Sequence, residues 1–157
     1  MDEPQGLSDV RILAPGEGNH LAFVGISTLI KSTSEDSRGA FTLIESTVSP
    51  HFAGFKQHLH RRMTEAFYIL EGAISFQIAE SSFTATPGSF VLIPPGVVHT
   101  YSNPEAVEAR YLLLMSPGGF EKYLVELSNL IQSEPAWPPA DPAALEALAA
   151  RYDATAP

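Results

Sequence analysis

The chain has 157 residues, 45% of them hydrophobic and 10% aromatic, which suits one domain with a sizeable core and excludes a disordered segment. A formal charge of −9 leaves no basic stripe for nucleic acid, and no apolar run is long enough to cross a bilayer. Cysteine is absent, which removes disulfides and thiolate metal sites together; with an acidic start (Asp2, Glu3) instead of a signal peptide, the expected compartment is the cytoplasm.

In chain order, Pro15-Gly16-Glu17-Gly18 reads as a loop that lacks the lysine and helix start of a phosphate cradle, and His20 follows it with no obvious partner. Leu21–Ile30 and Ala40–Val48 predict strands, with a polar loop from Lys31 to Gly39 between them. His51 reads as an exposed loop histidine, and the adjacent Arg61-Arg62 pair as a solvated turn. Further strands are expected over Glu65–Leu70, Ala73–Ala79, Ser89–Ile93, Val98–Ser102 and Glu108–Met115. Turn chemistry separates them at Glu71-Gly72, Pro87-Gly88 and Pro94-Pro95-Gly96. Short strands at this spacing mean a sandwich or barrel, with the two prolines at a corner.

After Met115 the pattern changes. Ser116-Pro117-Gly118-Gly119 is a break, and Phe120, Tyr123, Leu124, Leu127, Leu130 and Ile131 then recur at helical spacing. Pro135, Pro138 and Pro139 stiffen a connector around Trp137. Asp141 is expected to cap a second helix, with Pro142 in its first position and AALEALAARY following. Residues 1–115 are thus expected to form the barrel. Residues 116–157 form a helical extension too short for a second domain, which caps the barrel or docks on a partner subunit.

Four residues carry the chemistry. His58 and His60 lie two apart and so share a face of an extended chain, Glu65 follows, and His99 arrives after the proline corner. A lone His-x-His is usually a surface pair. Three imidazoles and a carboxylate in one frame instead suit one divalent transition metal: iron, manganese, nickel, cobalt, zinc or copper. Four protein donors leave one or two coordination positions open, as catalysis requires. The spacing does not choose which imidazole nitrogen binds. Gln57, of opposite parity, is expected to face away, and no G-x-S-x-G supports a hydrolase nucleophile. Phe67 and Ile69 share the face of Glu65, Tyr101 shares that of His99, and Ile74, Phe76 and Ile78 should point inward. Phe67 and Phe76 fit core packing and substrate contact equally; Tyr101, whose hydroxyl needs a partner if buried, is the better contact. Such a lining favours a flat or aromatic organic substrate.

The segments GFKQHLHRRMTEAFYILEG (Gly54–Gly72) and GSFVLIPPGVVHTYSN (Gly88–Asn103) resemble the two signature motifs of the cupin superfamily. His58, His60, Glu65 and Gly72 match the first, and Gly88, Pro94, Gly96, His99 and Asn103 match the second; Gly54 lies closer to the histidine pair than the family's leading glycine does. The resemblance implies an all-β, double-stranded β-helix (jelly-roll) barrel, one bound metal and a homodimer. Within the family the chain looks most like the quercetin dioxygenase-like group, which implies oxidation of an enol or aromatic small molecule, with Glu65 as both ligand and proton acceptor. Non-oxidative isomerase, decarboxylase or polyketide cyclase chemistry, with the metal as Lewis acid, is the alternative, and a metal-bearing binding protein is a third. Sugar epimerases of the family, which use a histidine–tyrosine pair, fit this ligand set poorly.

Overall fold

The computed structural model describes residues 10–157, and their strands follow the alternation of the sequence. β3 (Thr42–Val48) buries every second side chain, as do β4 (Thr64–Glu71) over its first six residues and β9 (Ala109–Ser116), so each turns one face to a common core. The other strands are β1 (Asn19–Phe23), β2 (Ile26–Ser32), β5 (Ile74–Ile78), β6 (Ser81–Ala85), β7 (Phe90–Ile93) and β8 (His99–Ser102). They form a six-stranded sheet in the order β1-β2-β3-β9-β4-β7 and a three-stranded sheet in the order β6-β5-β8, all pairs antiparallel. This is the expected jelly roll. Phe67, Ile69, Ile74, Phe76, Ile93, Tyr111 and Met115 fill the space between the sheets at 2% exposure or less.

Two strand predictions need correcting. The single strand expected over Leu21–Ile30 is a hairpin, turned at Val24-Gly25 with Gly25 at φ +80°. The apolar residues Phe23, Val24 and Ile26 run through the bend and mask it. β6 was not expected at all. Four of its five residues are exposed, so it has almost no buried face to imprint a period, and it is held by its ladder to β5.

Gly72 shows what a turn requires. It sits at φ +67°, and a Cβ there would lie 2.4 Å from the Glu108 carbonyl oxygen, so no side chain fits between β4 and the start of β9. Asn103, fully buried, staples the following loop. Its Nδ2 donates to the carbonyls of Ser49 (3.1 Å) and Val107 (2.8 Å), and its Oδ1 accepts from the Glu105 amide (3.1 Å).

Two helices follow the strands. α1 (Glu121–Ser133) lies against β1, where Ser128 Oγ donates to the Ala22 carbonyl at 3.1 Å. Its first residue is an anchor: the buried Glu121 carboxylate accepts from the Ser34 and Gly119 amides (2.8 and 2.9 Å) and from the hydroxyls of Ser34 and Thr42. α2 (Ala143–Arg151) begins one residue later than expected, with Pro142 as N-cap; Asp141 Oδ1 still accepts the Ala143 amide at 2.9 Å. No helix among the described residues is long and apolar enough to cross a membrane.

Candidate metal centre

His58, His60, Glu65 and His99 converge, with one donor atom from each lying within 4.8 Å of all the others. Glu65 and His99 sit on β4 and β8, fixed by ladders. The two other histidines lie on an extended segment outside the regular strands. His58 is held there by a two-bond bridge to His99 (3.1 and 2.9 Å), and the His60 carbonyl accepts the Gly96 amide at 2.7 Å. The proline corner therefore positions the histidine pair as well as His99.

Each imidazole is oriented from behind. Nδ1 of His58 donates to the Lys56 carbonyl (2.9 Å), Nδ1 of His99 to the Val97 carbonyl (2.9 Å), and Nδ1 of His60 to the Asp153 carbonyl. A carbonyl oxygen only accepts, so all three rings carry a proton on Nδ1 and turn Nε2 inward. These backbone partners leave Nε2 as the nitrogen within reach of the carboxylate and of any ion, a choice left open by the sequence.

The inward nitrogens of His60 and His99 face a carboxylate. Glu65 Oε2 lies 2.6 Å from His99 Nε2 and 3.4 Å from His60 Nε2. Burial disfavours the Glu65 anion, but the His60 and His99 rings outweigh it and hold its carboxyl down at about 2. Burial lowers His58; for His60, burial also opposes the charged form but the Glu65 carboxylate overrides it and raises the ring. His60 Nε2 and Glu65 Oε2 are buried without a hydrogen-bond partner among the described residues. Buried polar atoms of this kind need partners, and either a proton or a metal ion shared by the ring nitrogens and the carboxylate supplies one. The donor set is compatible with a divalent metal.

Residues 44–115, spanning β3 through β9, match the cupin domain family. The chain carries a cupin domain. It is 26% identical over 121 residues to the quercetin 2,3-dioxygenase of Bacillus subtilis (strain 168) and 25% identical over 122 residues to the germin-like protein subfamily T member 3 of Arabidopsis thaliana. These alignments take in 75% and 74% of this chain but 34% and 48% of the relatives, so the chain spans between a third and a half of their lengths. An RmlC-like cupin from Shewanella frigidimarina superposes with a TM-score of 0.61 at 15% identity, covering 72% of this chain and 96% of that one, which places the fold.

The aromatic residues expected near the metal lie inside the cupin barrel. Phe67, Phe76 and Tyr101 are all buried, and Phe67 meets the other two edge-on at centroid distances of 5.1 and 5.6 Å. Tyr101 finds the hydroxyl partner its burial demands in Tyr111, at 2.7 Å. Burial raises both phenols, Tyr111 to about 12, so neither ionises near neutral pH. A hollow of 190 Å³ touches Phe76 and Tyr101 from the face of the smaller sheet. Gln57, His51 and His20 are exposed and stand apart from the cluster.

Two neighbours of the centre were not expected from sequence. Phe120, just before α1, stacks edge-on to the His60 ring at 5.2 Å. Asp153, 93 residues beyond His60, accepts its Nδ1 proton. Phe120 had been read only as part of a helical stripe, and Asp153 lies in a tail with no motif.

Proposed function

We propose that this cupin is an enzyme that binds one divalent transition-metal ion through Nε2 of His58, His60 and His99 and the carboxylate of Glu65, and that it oxidises an enol-bearing or aromatic small molecule in the manner of a dioxygenase. The observation that carries the reading is the convergence of three inward imidazole nitrogens and a buried carboxylate, with His60 Nε2 and Glu65 Oε2 lacking a hydrogen-bond partner of good geometry among the described residues. The likeness to quercetin 2,3-dioxygenase supports the oxidative direction. A divalent ion there supplies a Lewis-acidic contact for a substrate oxygen and, where the metal is redox-active, a route for electrons to dioxygen.

The chain's own groups supply the rest. Glu65 is ionised at neutral pH and accepts the proton of an enol hydroxyl at its unpartnered Oε2. The backbone bonds to Nδ1 keep the rings turned with Nε2 toward the carboxylate. Phe67, Phe76 and Tyr101 form an apolar floor that excludes water and accepts a flat substrate. A second copy of the chain is the proposed partner. Tyr68, Phe90 and Leu92, at 46%, 63% and 55% exposure, lie on the open edge of the larger sheet without a carboxylate among them, so two acidic molecules can meet there. A monomeric mass by light scattering would remove that part.

The test is metal analysis of freshly purified protein, then oxygen uptake with quercetin as the enol probe. One metal per chain is expected, with oxygen consumed in step with quercetin and both activities lost in His58→Ala and His99→Ala. Equal turnover under strict anaerobiosis would replace oxidation by Lewis-acid chemistry. Tight binding of unchanged quercetin, with no product under any metal or gas, would reduce the protein to a binder.

A further inference from the structure

We propose that the C-terminal segment Tyr152–Thr155 is a working part of the metal centre, with Asp153 a positioning residue that sets His60 for coordination. The inference deepens the metal reading and rests on it. His58 and His99 each find their Nδ1 acceptor two residues back in their own chain, so their orientation is local. His60 alone depends on a remote acceptor, the Asp153 carbonyl.

The segment also holds the backbone on both sides of His60. Before it, Leu59 and Thr155 exchange two backbone hydrogen bonds, at 2.9 and 3.1 Å. After it, the Asp153 carboxylate accepts three consecutive amides, from Arg61 (2.6 Å), Arg62 (2.8 Å) and Met63 (3.0 Å). Four of the five amides from Leu59 to Met63 are thus bonded to Asp153 or Thr155. Consecutive amides converging on one anion form a rigid concave cradle. The segment is itself moored by Tyr152, whose hydroxyl donates to Glu126 of α1 at 2.6 Å, and α1 is bonded to β1. A chain of contacts therefore runs from the outer edge of the larger sheet to the ring of His60. The helical extension acts as a strap that turns an irregular loop into a fixed coordinating arm.

A merely stabilising tail and a positioning strap differ in what they change. The metal-free protein is titrated with Co(II) and followed by visible absorption, which reports coordination geometry, alongside thermal melting. Asp153→Ala leaves the backbone carbonyl but removes the carboxylate that fixes residues 61–63 and the carbonyl's own position; a chain ending at Tyr152 removes both. Each should weaken Co(II) binding by about tenfold or more and alter the absorption envelope, as expected when an outer-sphere partner is displaced or lost. Asp153→Asn, which can still accept amide protons, should recover part of both. Asp141→Ala, which loosens only the start of α2, should lower the melting temperature and leave affinity and spectrum unchanged. If the shortened chain does not fold, the Asp153→Ala and Asp153→Asn pair decides. Wild-type affinity and spectrum in Asp153→Ala would overturn the inference, as would an equal loss in Asp141→Ala. Failure of the wild-type protein to bind Co(II) would overturn the metal reading itself, and the inference with it.

Discussion

The four converging side chains fall into two pairs held by different means. Glu65 and His99 sit on β4 and β8, each paired in a ladder, and the face each side chain takes follows from alternation. His58 and His60 sit on an extended segment with two isolated bridges, to His99 and to Thr155, held by the proline corner on one side and by Asp153 and Thr155 on the other. The first pair is as rigid as the barrel. The second is as rigid as contacts made 40 and more than 90 residues further along the chain. Exchange with solvent should accordingly be slower in β4 than in residues 58–63.

The largest expected effect comes from breaking the ladder pair. Glu65→Gln keeps the shape of the side chain and removes the charge that faces the three nitrogens. Metal affinity, read by competition with a chelator, should fall beyond the roughly 100-fold range typical of outer partners, with melting of the metal-free protein little lowered. Next, Phe67→Ala tests whether the barrel alone fixes the ladder pair. It empties a fully buried site and should cost about 3–5 kcal/mol in denaturant unfolding, and an unchanged midpoint would show that the aromatic floor is not a packed core. Asn103→Ala strips the loop after β8 of its carbonyl and amide partners. A loss of about 1–3 kcal/mol is expected by the same measurement, because those buried backbone groups are left unpaired.

The smallest effect lies at the start of the extension, where α1 begins. Burial opposes ionisation of Glu121, and the donors of Ser34 and Thr42 outweigh it, so its carboxyl is held below the ordinary value of 4.5. A carboxyl lowered on folding stabilises the fold above that ordinary value, and the contribution fades as pH falls through the lowered one. The melting temperature should therefore drop on acidification below about pH 4.5 more steeply in the wild type than in Glu121→Gln. Parallel curves would show that this anchor carries no linkage.

Legibility followed the range of the interactions. The jelly roll and the ladder positions of Glu65 and His99 could be read because alternation and turn residues act within a few neighbours, and Gly72 marks a turn that only glycine fits. The convergence of the four side chains could be read because two motifs quote them together. β6 escaped because an exposed strand leaves no period, and the β1–β2 bend because apolar residues continue through it.

By itself, then, the sequence determined a β-barrel, with the faces of Glu65 and His99 fixed by burial of alternate side chains, while the meeting of all four metal candidates was implied by the likeness of two motifs to the cupin signatures. Only the tertiary structure decided which imidazole nitrogen turns inward, that Phe67, Phe76 and Tyr101 pack on one another in the core, and that Asp153 stands behind His60. Those outcomes depend on backbone carbonyls and on partners far along the chain. A carbonyl is present at every residue, so no residue type marks in advance the one that a ring will meet.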